Sequence, residues 1–190
     1  MNNSAASANA NVNKLVSLQL FSVGPQSLNW KFFDCSIAVG VGTGYADAGP
    51  THYSTEDICI MKVFPNITIY TPSDDISAAE IAKKIINKNH FNYLRLDRDA
   101  LPSLYKTRSF NFDQGYNFIS KKNNKVCIVT CGYLTHKAIK INESLKGKVD
   151  IIDLFRIKPF PKKILNILKK YKVVVTLEEQ LAAGGFGATI

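Results

Sequence analysis

Several things are scarce or missing in this sequence, and each absence removes a class of protein. No uninterrupted apolar run approaches the ~20 residues needed to cross a bilayer, and the opening "MNNSAASANANVNK" has neither the basic nor the apolar zone of a secretory signal. The expectation is a cytoplasmic protein without a membrane span. Histidine is rare, with 3 in 190 residues, so any imidazole chemistry must come from His52, His90 or His136. The 4 cysteines form no CxxC pair and have no histidine nearby, which argues against a structural metal. Cys127 and Cys131 in "KVCIVTCG" sit in an apolar stretch where a small hydrophobe serves equally well. The net charge of +9 invites a nucleic-acid partner. However, the lysines are spread along helix faces without interleaved base-stacking aromatics, so none is expected.

What is present is an ordinary core-forming composition, 46% hydrophobic and 21% charged. Residues 1–14 are small and polar and read as a disordered tail. "KLVSLQLFSV" reads as a strand, and Ser54 with Asp57 makes an S-x-x-D pattern that predicts a helix over 54–63, ended by Pro65. "NITIYTPS" is a β-branched strand, Ser77 with Glu80 predicts a second capping box, and "FNYLRLDR" is the next strand. The segment 99–111, with Pro102 and little periodicity, is expected to connect two domains, 15–104 and 112–190.

Beyond it, "QGYNFISKKNNKVCIVTCG" reads as a hairpin turning at "KKNN" into a buried strand. A helix over 134–146, the strand "VDIIDLF", a helix over 161–170 and the strand "KVVVTLEE" follow. Alternating strands and helices mean parallel strands with crossovers, hence an α/β architecture.

Few motifs carry chemistry by themselves. "GGFGAT" partly resembles a dinucleotide fingerprint, but it follows the last strand rather than the first, so a plain glycine turn into a helix is the better reading. Glu178 and Glu179 are adjacent on a strand end and should point to opposite faces, a poor geometry for an acid–base pair. His90 and His136 read as surface or capping residues. His52 stands apart, because Gly49 and Pro50 place it on a turn at the mouth of the expected helix, where an anionic ligand is favoured.

The stretch "GPTHYSTEDICIMKVFPNITIYTPSD" resembles the transketolase family, thiamine-diphosphate enzymes that move two-carbon ketol units between sugars. The resemblance continues through "LRLDRDALP", similar to the family's R-x-x-L-P segment, and through "KVCIVTCGYLTHKAIKI", "VDIIDLFRIKPF" and "VVVTLEEQLAAGGFG". It implies a partial pyrimidine-binding domain followed by a partial C-terminal domain, a parallel sheet with helices on both faces.

By the same resemblance His52, the histidine of the G-P-T-H turn, is the candidate catalytic and cofactor-contacting residue. Arg98 is the candidate sugar-phosphate ligand, its guanidinium fork matching phosphate oxygens. Many members carry an aspartate directly before G-P-T-H. Here Ala48 stands there and Asp47, one place earlier, is the candidate substrate ligand.

"KFFDCSIA" resembles the family's R-F-F-D/N-x-G-I-A-E-Q segment, whose glutamate bonds the cofactor's pyrimidine ring, yet Ala38 is followed directly by Val39 and Gly40. No G-D-G…N segment for diphosphate and magnesium occurs in these residues. The resemblance therefore implies a transketolase-like C-terminal component that is inactive alone. Its expected partners are an N-terminal, diphosphate-binding chain or a second copy, and a sugar phosphate. Two other readings stand beside it: a non-catalytic module that docks on such a chain, and a nicotinamide-dependent dehydrogenase using "GGFG".

Overall fold

The computed structural model describes residues 35–44, 49, 52–86, 90–106 and 109–190. They fall within the compact unit Phe33–Ile190. Among the expectations above, the tail 1–14, the strand "KLVSLQLFSV" and the candidate ligand Asp47 lie outside the described residues.

Among the described residues, two four-stranded sheets form the frame. The first is built from β1 (Cys35–Val39), β2 (Ile67–Tyr70), β3 (Phe91–Leu96) and β7 (Arg156–Lys158), in the order β1-β3-β2-β7. β1 and β2 both run parallel to β3, and β7 lies antiparallel to β2. The second contains β4 (Asn117–Ser120), β5 (Val126–Thr130), β6 (Asp150–Asp153) and β8 (Val173–Thr176), in the order β4-β6-β5-β8. Its β5, β6 and β8 are parallel, whereas β4 is antiparallel to β6, so both sheets are mixed. The architecture is α/β.

Four helices among the described residues accompany the sheets: α1 (Asp57–Lys62), α2 (Asp75–Ile85), α3 (Leu134–Ser144) and α4 (Lys163–Leu168). The two-residue period of a strand decides which helix covers which face. In the second sheet Cys127 and Val129 point into the cluster holding Ile164 and Leu168 of α4. Ile128, between them, points into the cluster holding Ala138 of α3. The first sheet repeats the arrangement, with Tyr93 of β3 beside Ile58 of α1 and Leu94 beside Ile81 and Ile85 of α2. Helices thus cover both faces of each sheet. The face of the first sheet under α1 and the face of the second under α4 share one apolar cluster with Leu154, Ile157 and Phe186.

Three local expectations need correction. The "KKNN" segment does not close a hairpin between paired strands, because β6 lies between β4 and β5. Asp150, buried at the start of β6, holds the turn to that strand. Its Oδ1 accepts from Lys122 N at 2.8 Å and from Asn124 Nδ2 at 2.8 Å, so the turn wraps around β6. "VDIIDLF" is likewise not one strand. The chain leaves the second sheet after Asp153, buries Leu154 and Phe155, and enters the first sheet as β7. Thr71 N donates to Phe155 O at 2.8 Å where the chain crosses over.

The third correction concerns helix starts. α1 begins at Asp57 with no side-chain cap. Ser54 instead pairs through its backbone with Gly42 in an antiparallel bridge, and the Asp57 carboxylate is drawn to Arg95. α2 begins before Ser77. Asp74 is its N-cap, accepting from Ser77 N at 2.7 Å, while the Ser77 hydroxyl accepts from Asp74 N in return. Glu80 takes no part in that box and pairs with exposed Lys83 at 2.8 Å.

Candidate functional site

Parallel strands bring their C-terminal ends to one edge, where loops can assemble a site. In the first sheet Val39 is opposite Leu96, so the loop after β1 and the residues after β3 emerge together. Gly40 N donates to Leu96 O at 2.9 Å, holding the start of that loop to β3. Gly44 packs beside Arg98, whose Cβ lies 3.8 Å from the site of a Cβ on Gly44. Arg98 is exposed at this edge.

His52 is exposed, in a 3-10 turn closed by its own N–H donating to Gly49 O at 3.0 Å. It does not stand at the mouth of a helix as expected, because the Gly42–Ser54 bridge intervenes and α1 starts later. The two bonds of the bridge, Ser54 N to Gly42 O at 2.9 Å and Gly42 N to Ser54 O at 3.0 Å, close the His52-bearing loop at its base. The base lies over the same sheet edge that carries Arg98, so topology brings His52 and Arg98 to one end of the first sheet.

Beneath this edge lies a buried charge cluster. Arg95 in β3 has a side chain 3% exposed, and its Nε lies 2.5 Å from Asp57 Oδ2. Its Nη2 donates to Asp57 Oδ1 at 3.2 Å, and Tyr93 Oη donates to Asp57 Oδ2 at 3.0 Å. A guanidinium this deep is tolerable only with a carboxylate across its fork. The pair fixes the first turn of α1 against the middle of the sheet, and with it the chain that follows His52.

The C-terminal ends of the two sheets meet. Gly132, after β5, has φ +59°, and a Cβ there would lie 3.1 Å from Thr71 Oγ1 and 3.5 Å from Asp97 Oδ2. Asp97, after β3, accepts from Tyr133 N at 3.2 Å. Its carboxyl is pushed up to about 6, chiefly by burial and then by the charge of Glu179, with Arg95 acting in the opposite direction. Val41, Arg95, Asp97, Tyr133, Glu178 and Glu179 line a small cleft here.

The adjacent carboxylates Glu178 and Glu179 serve separate contacts. Glu178 Oε2 accepts from Gly187 N at 2.8 Å, while Glu179 Oε1 accepts from Thr43 Oγ1. The glycine segment at 184–187 is followed by the 3-10 turn Gly187–Thr189. Its Gly187 amide is already engaged, and its carbonyls at Gly184 and Gly185 accept from Lys62 Nζ at 2.9 and 3.2 Å. With the Gly187 amide already held by a carboxylate, the segment is a poor phosphate cradle, which weighs against the nicotinamide reading.

Neither Asp97 nor the Asp57–Arg95 pair and the Glu179–Thr43 contact stands out in the sequence. Each depends on partners far apart along the chain. Cys127 and Cys131 are buried, and among the described residues no group of His, Cys, Asp and Glu is arranged to hold a metal ion. No helix among those residues is long and apolar enough to cross a membrane.

Comparisons with known proteins fit this geometry. The family "Transketolase, pyrimidine binding domain" matches residues 30–103, and "Transketolase, C-terminal domain" matches residues 115–190. The chain belongs to the transketolase family, whose members depend on thiamine diphosphate. It is 30% identical over 155 residues to an apulose-4-phosphate transketolase subunit of Actinobacillus succinogenes, covering 78% of this chain and 49% of that protein. Human transketolase is 22% identical over 179 residues, covering 91% of this chain and 28% of that one.

Among solved structures, a split gene transketolase in the form of an inactive beta4 tetramer superposes with a TM-score of 0.71 at 26% identity, covering 82% of this chain and 50% of that one. Transketolase from Campylobacter jejuni gives a TM-score of 0.61 at 17% identity, covering 76% and 27%, a likeness of fold. The chain spans about half the length of the apulose-4-phosphate transketolase subunits it matches, 49% of the Actinobacillus protein and 51% of one from Phocaeicola vulgatus.

The family's cofactor can be tested against the residues present. β1 ends Ile37-Ala38-Val39, with Val39 60% exposed where the resemblance calls for a glutamate. Of the carboxylates that line the nearby cleft, Asp97 accepts from Tyr133 N, Glu178 from Gly187 N and Glu179 from Thr43. At the position where the resemblance calls for a glutamate the described residues therefore carry no carboxylate, and the fit to an activated cofactor is incomplete.

Proposed function

We propose that this chain is the C-terminal component of a transketolase-like enzyme that transfers two-carbon ketol units between sugar phosphates by means of thiamine diphosphate. In this reading it is inactive alone. The observation that carries the proposal is the succession of a pyrimidine-binding match and a C-terminal-domain match in a chain that covers half of one apulose-4-phosphate transketolase subunit. Diphosphate and its Mg2+ are held by a domain outside these residues, on an N-terminal partner chain or on a second copy. Arg98 holds the sugar phosphate, and Asp47 assists it. His52 faces the cofactor and the sugar oxygens, where an imidazole can hydrogen-bond to substrate and assist proton transfer. The pyrimidine-binding part is 15–104 and the C-terminal part 112–190. The protein works in the cytoplasm, where phosphorylated sugars are retained.

A second reading is a non-catalytic module that docks on the same partner. Val39 at the end of β1, in place of a carboxylate, favours it. One experiment separates the two: co-expression with a diphosphate-binding transketolase chain, followed by an assay with a ketose phosphate donor and an aldose phosphate acceptor. A stable complex with ketol transfer supports the enzyme component. A complex without transfer supports the docking module, and no complex opposes both.

A further inference from the structure

One segment after β8 touches both stems of the His52-bearing loop and the helix that follows it. Thr43 Oγ1 donates to Glu179 Oε1 at 2.5 Å, and Thr43 N donates to the same oxygen at 3.3 Å. On the other stem, Leu181 N donates to Thr55 O at 3.3 Å. Further along, Lys62 Nζ at the end of α1 donates to Gly184 O, Gly185 O and, at 2.9 Å, Thr189 Oγ1.

The glycines make these approaches possible. Gly42 has φ +62°, and a Cβ there would collide with the Glu179 carboxylate. A Cβ on Gly184, at φ +78°, would lie 2.5 Å from Cys59 Sγ in α1. Glu178 in turn holds the segment in shape by accepting from Gly187 N. The carboxylate pair and the glycine run, which form neither an acid–base site nor a phosphate cradle, therefore share one structural task.

We infer that residues 179–189 form a brace that ties the segment 42–44 to the segment 52–62, which carries His52, with Glu179 as its positioning residue. Tying two segments distant in sequence to one brace leaves less freedom in those segments for a ligand to remove on binding. The C-terminal half of the chain thereby sets the geometry of a candidate site built on the N-terminal half. The relevance of this to a sugar phosphate rests on the function proposed above, but the brace itself does not.

Hydrogen exchange on the full, cofactor-free chain tests it, in the wild type and in Thr43→Val, Glu179→Ala and Glu179→Gln. Loss of a bond to a charged acceptor should speed exchange in peptides spanning 42–56 by about tenfold or more in Thr43→Val and Glu179→Ala. Peptides spanning 67–85 should stay unchanged. Glu179→Gln keeps an acceptor oxygen but not its charge and should fall between the wild type and Glu179→Ala, a partial rescue that simple loss of packing would not show.

Unchanged exchange over 42–56 in both disruptive variants overturns the inference. So does a uniform rise over the whole chain in Thr43→Val, whose side chain is exposed and whose replacement leaves the core intact. Absence of ketol transfer by an assembled complex would refute the functional reading without altering any of these exchange rates.

Discussion

Arg95 and Asp57 form a buried ion pair, Nε to Oδ2 at 2.5 Å, that joins the middle of β3 to the first turn of α1. The two residues come from different elements of the pyrimidine-binding part, and their side chains are only 3% and 8% exposed. A pair this deep contributes little net stability as a pair, but its rupture leaves an uncompensated charge. Asp57→Ala is therefore expected to destabilise the chain by about 3–5 kcal/mol in urea denaturation. Arg95→Met combined with Asp57→Leu should recover most of that loss, and a double variant as unstable as Asp57→Ala would contradict this account.

The start of α2 offers a sharper contrast. Asp74 caps the helix through Ser77 N and also accepts from Leu104 N at 2.7 Å and Tyr105 N at 2.8 Å. Asp74→Ala should cost about 2 kcal/mol, at the upper end for a cap because other donors are orphaned with it. Glu80→Ala, which removes only an exposed pair with Lys83, should change stability by less than about 0.5 kcal/mol. A larger loss from Glu80→Ala than from Asp74→Ala would restore the Ser77–Glu80 box that the local pattern suggests.

That contrast shows what is legible in the sequence and what is not. The alternation of strands and helices points to the α/β class, and the motif around Gly49–His52 points to the family. Ser77 is recognisable as a capping residue, but Asp74, three positions earlier, can replace it as the helix start without changing the local pattern. The expected hairpin fails for a different reason: a strand from beyond α3 inserts between its two arms, and local turn chemistry carries no trace of that. The segment from Val149 looks like one strand because "VDIIDLF" is largely apolar, yet only Asp150–Asp153 belongs to the second sheet, and Leu154 and Phe155 lead into β7 of the first. The candidate site follows the same division. His52 and Arg98 come from motifs, whereas Glu179, Asp97 and the Asp57–Arg95 pair depend on contacts over long stretches of chain.

Stability should fall as pH rises from about 4 towards 7 through one buried carboxyl. Asp153 accepts from Ser73 Oγ at 2.9 Å and from Tyr105 Oη at 2.5 Å. Burial nevertheless pushes its carboxyl up to about 7. The folded state thus binds a proton that the unfolded state releases at lower pH, so this contribution is present in acid and is lost as pH climbs through the folded value. Asp153→Asn should flatten the decline, measured as unfolding free energy at a series of pH values. An unchanged slope would show that Asp153 does not titrate in this range.

Asp97 offers a pH test at the sheet edge. Its carboxyl stands at about 6, raised by burial and by Glu179. Glu179→Gln removes a negative charge without removing an acceptor, so the Asp97 titration followed by carboxyl NMR should move down. A midpoint that stays in place would mean that Glu179 does not act on Asp97.

Arg98 is expected to hold the phosphate of the sugar. In a complex with the diphosphate-binding chain, Arg98→Ala should weaken sugar-phosphate binding by about 10- to 100-fold, the range for hydrogen bonds between charged groups. Binding of the corresponding unphosphorylated sugar should change little. Equal losses for both ligands would remove the phosphate role from Arg98.

The most direct test of the central claim is a ketol-transfer assay on the purified 190-residue chain, with thiamine diphosphate, Mg2+, a ketose phosphate and an aldose phosphate supplied, run alone and beside an N-terminal transketolase chain. The account predicts no transfer by the chain alone and a stable complex with its partner. Transfer by the chain alone, or failure to associate with any diphosphate-binding chain, would contradict it.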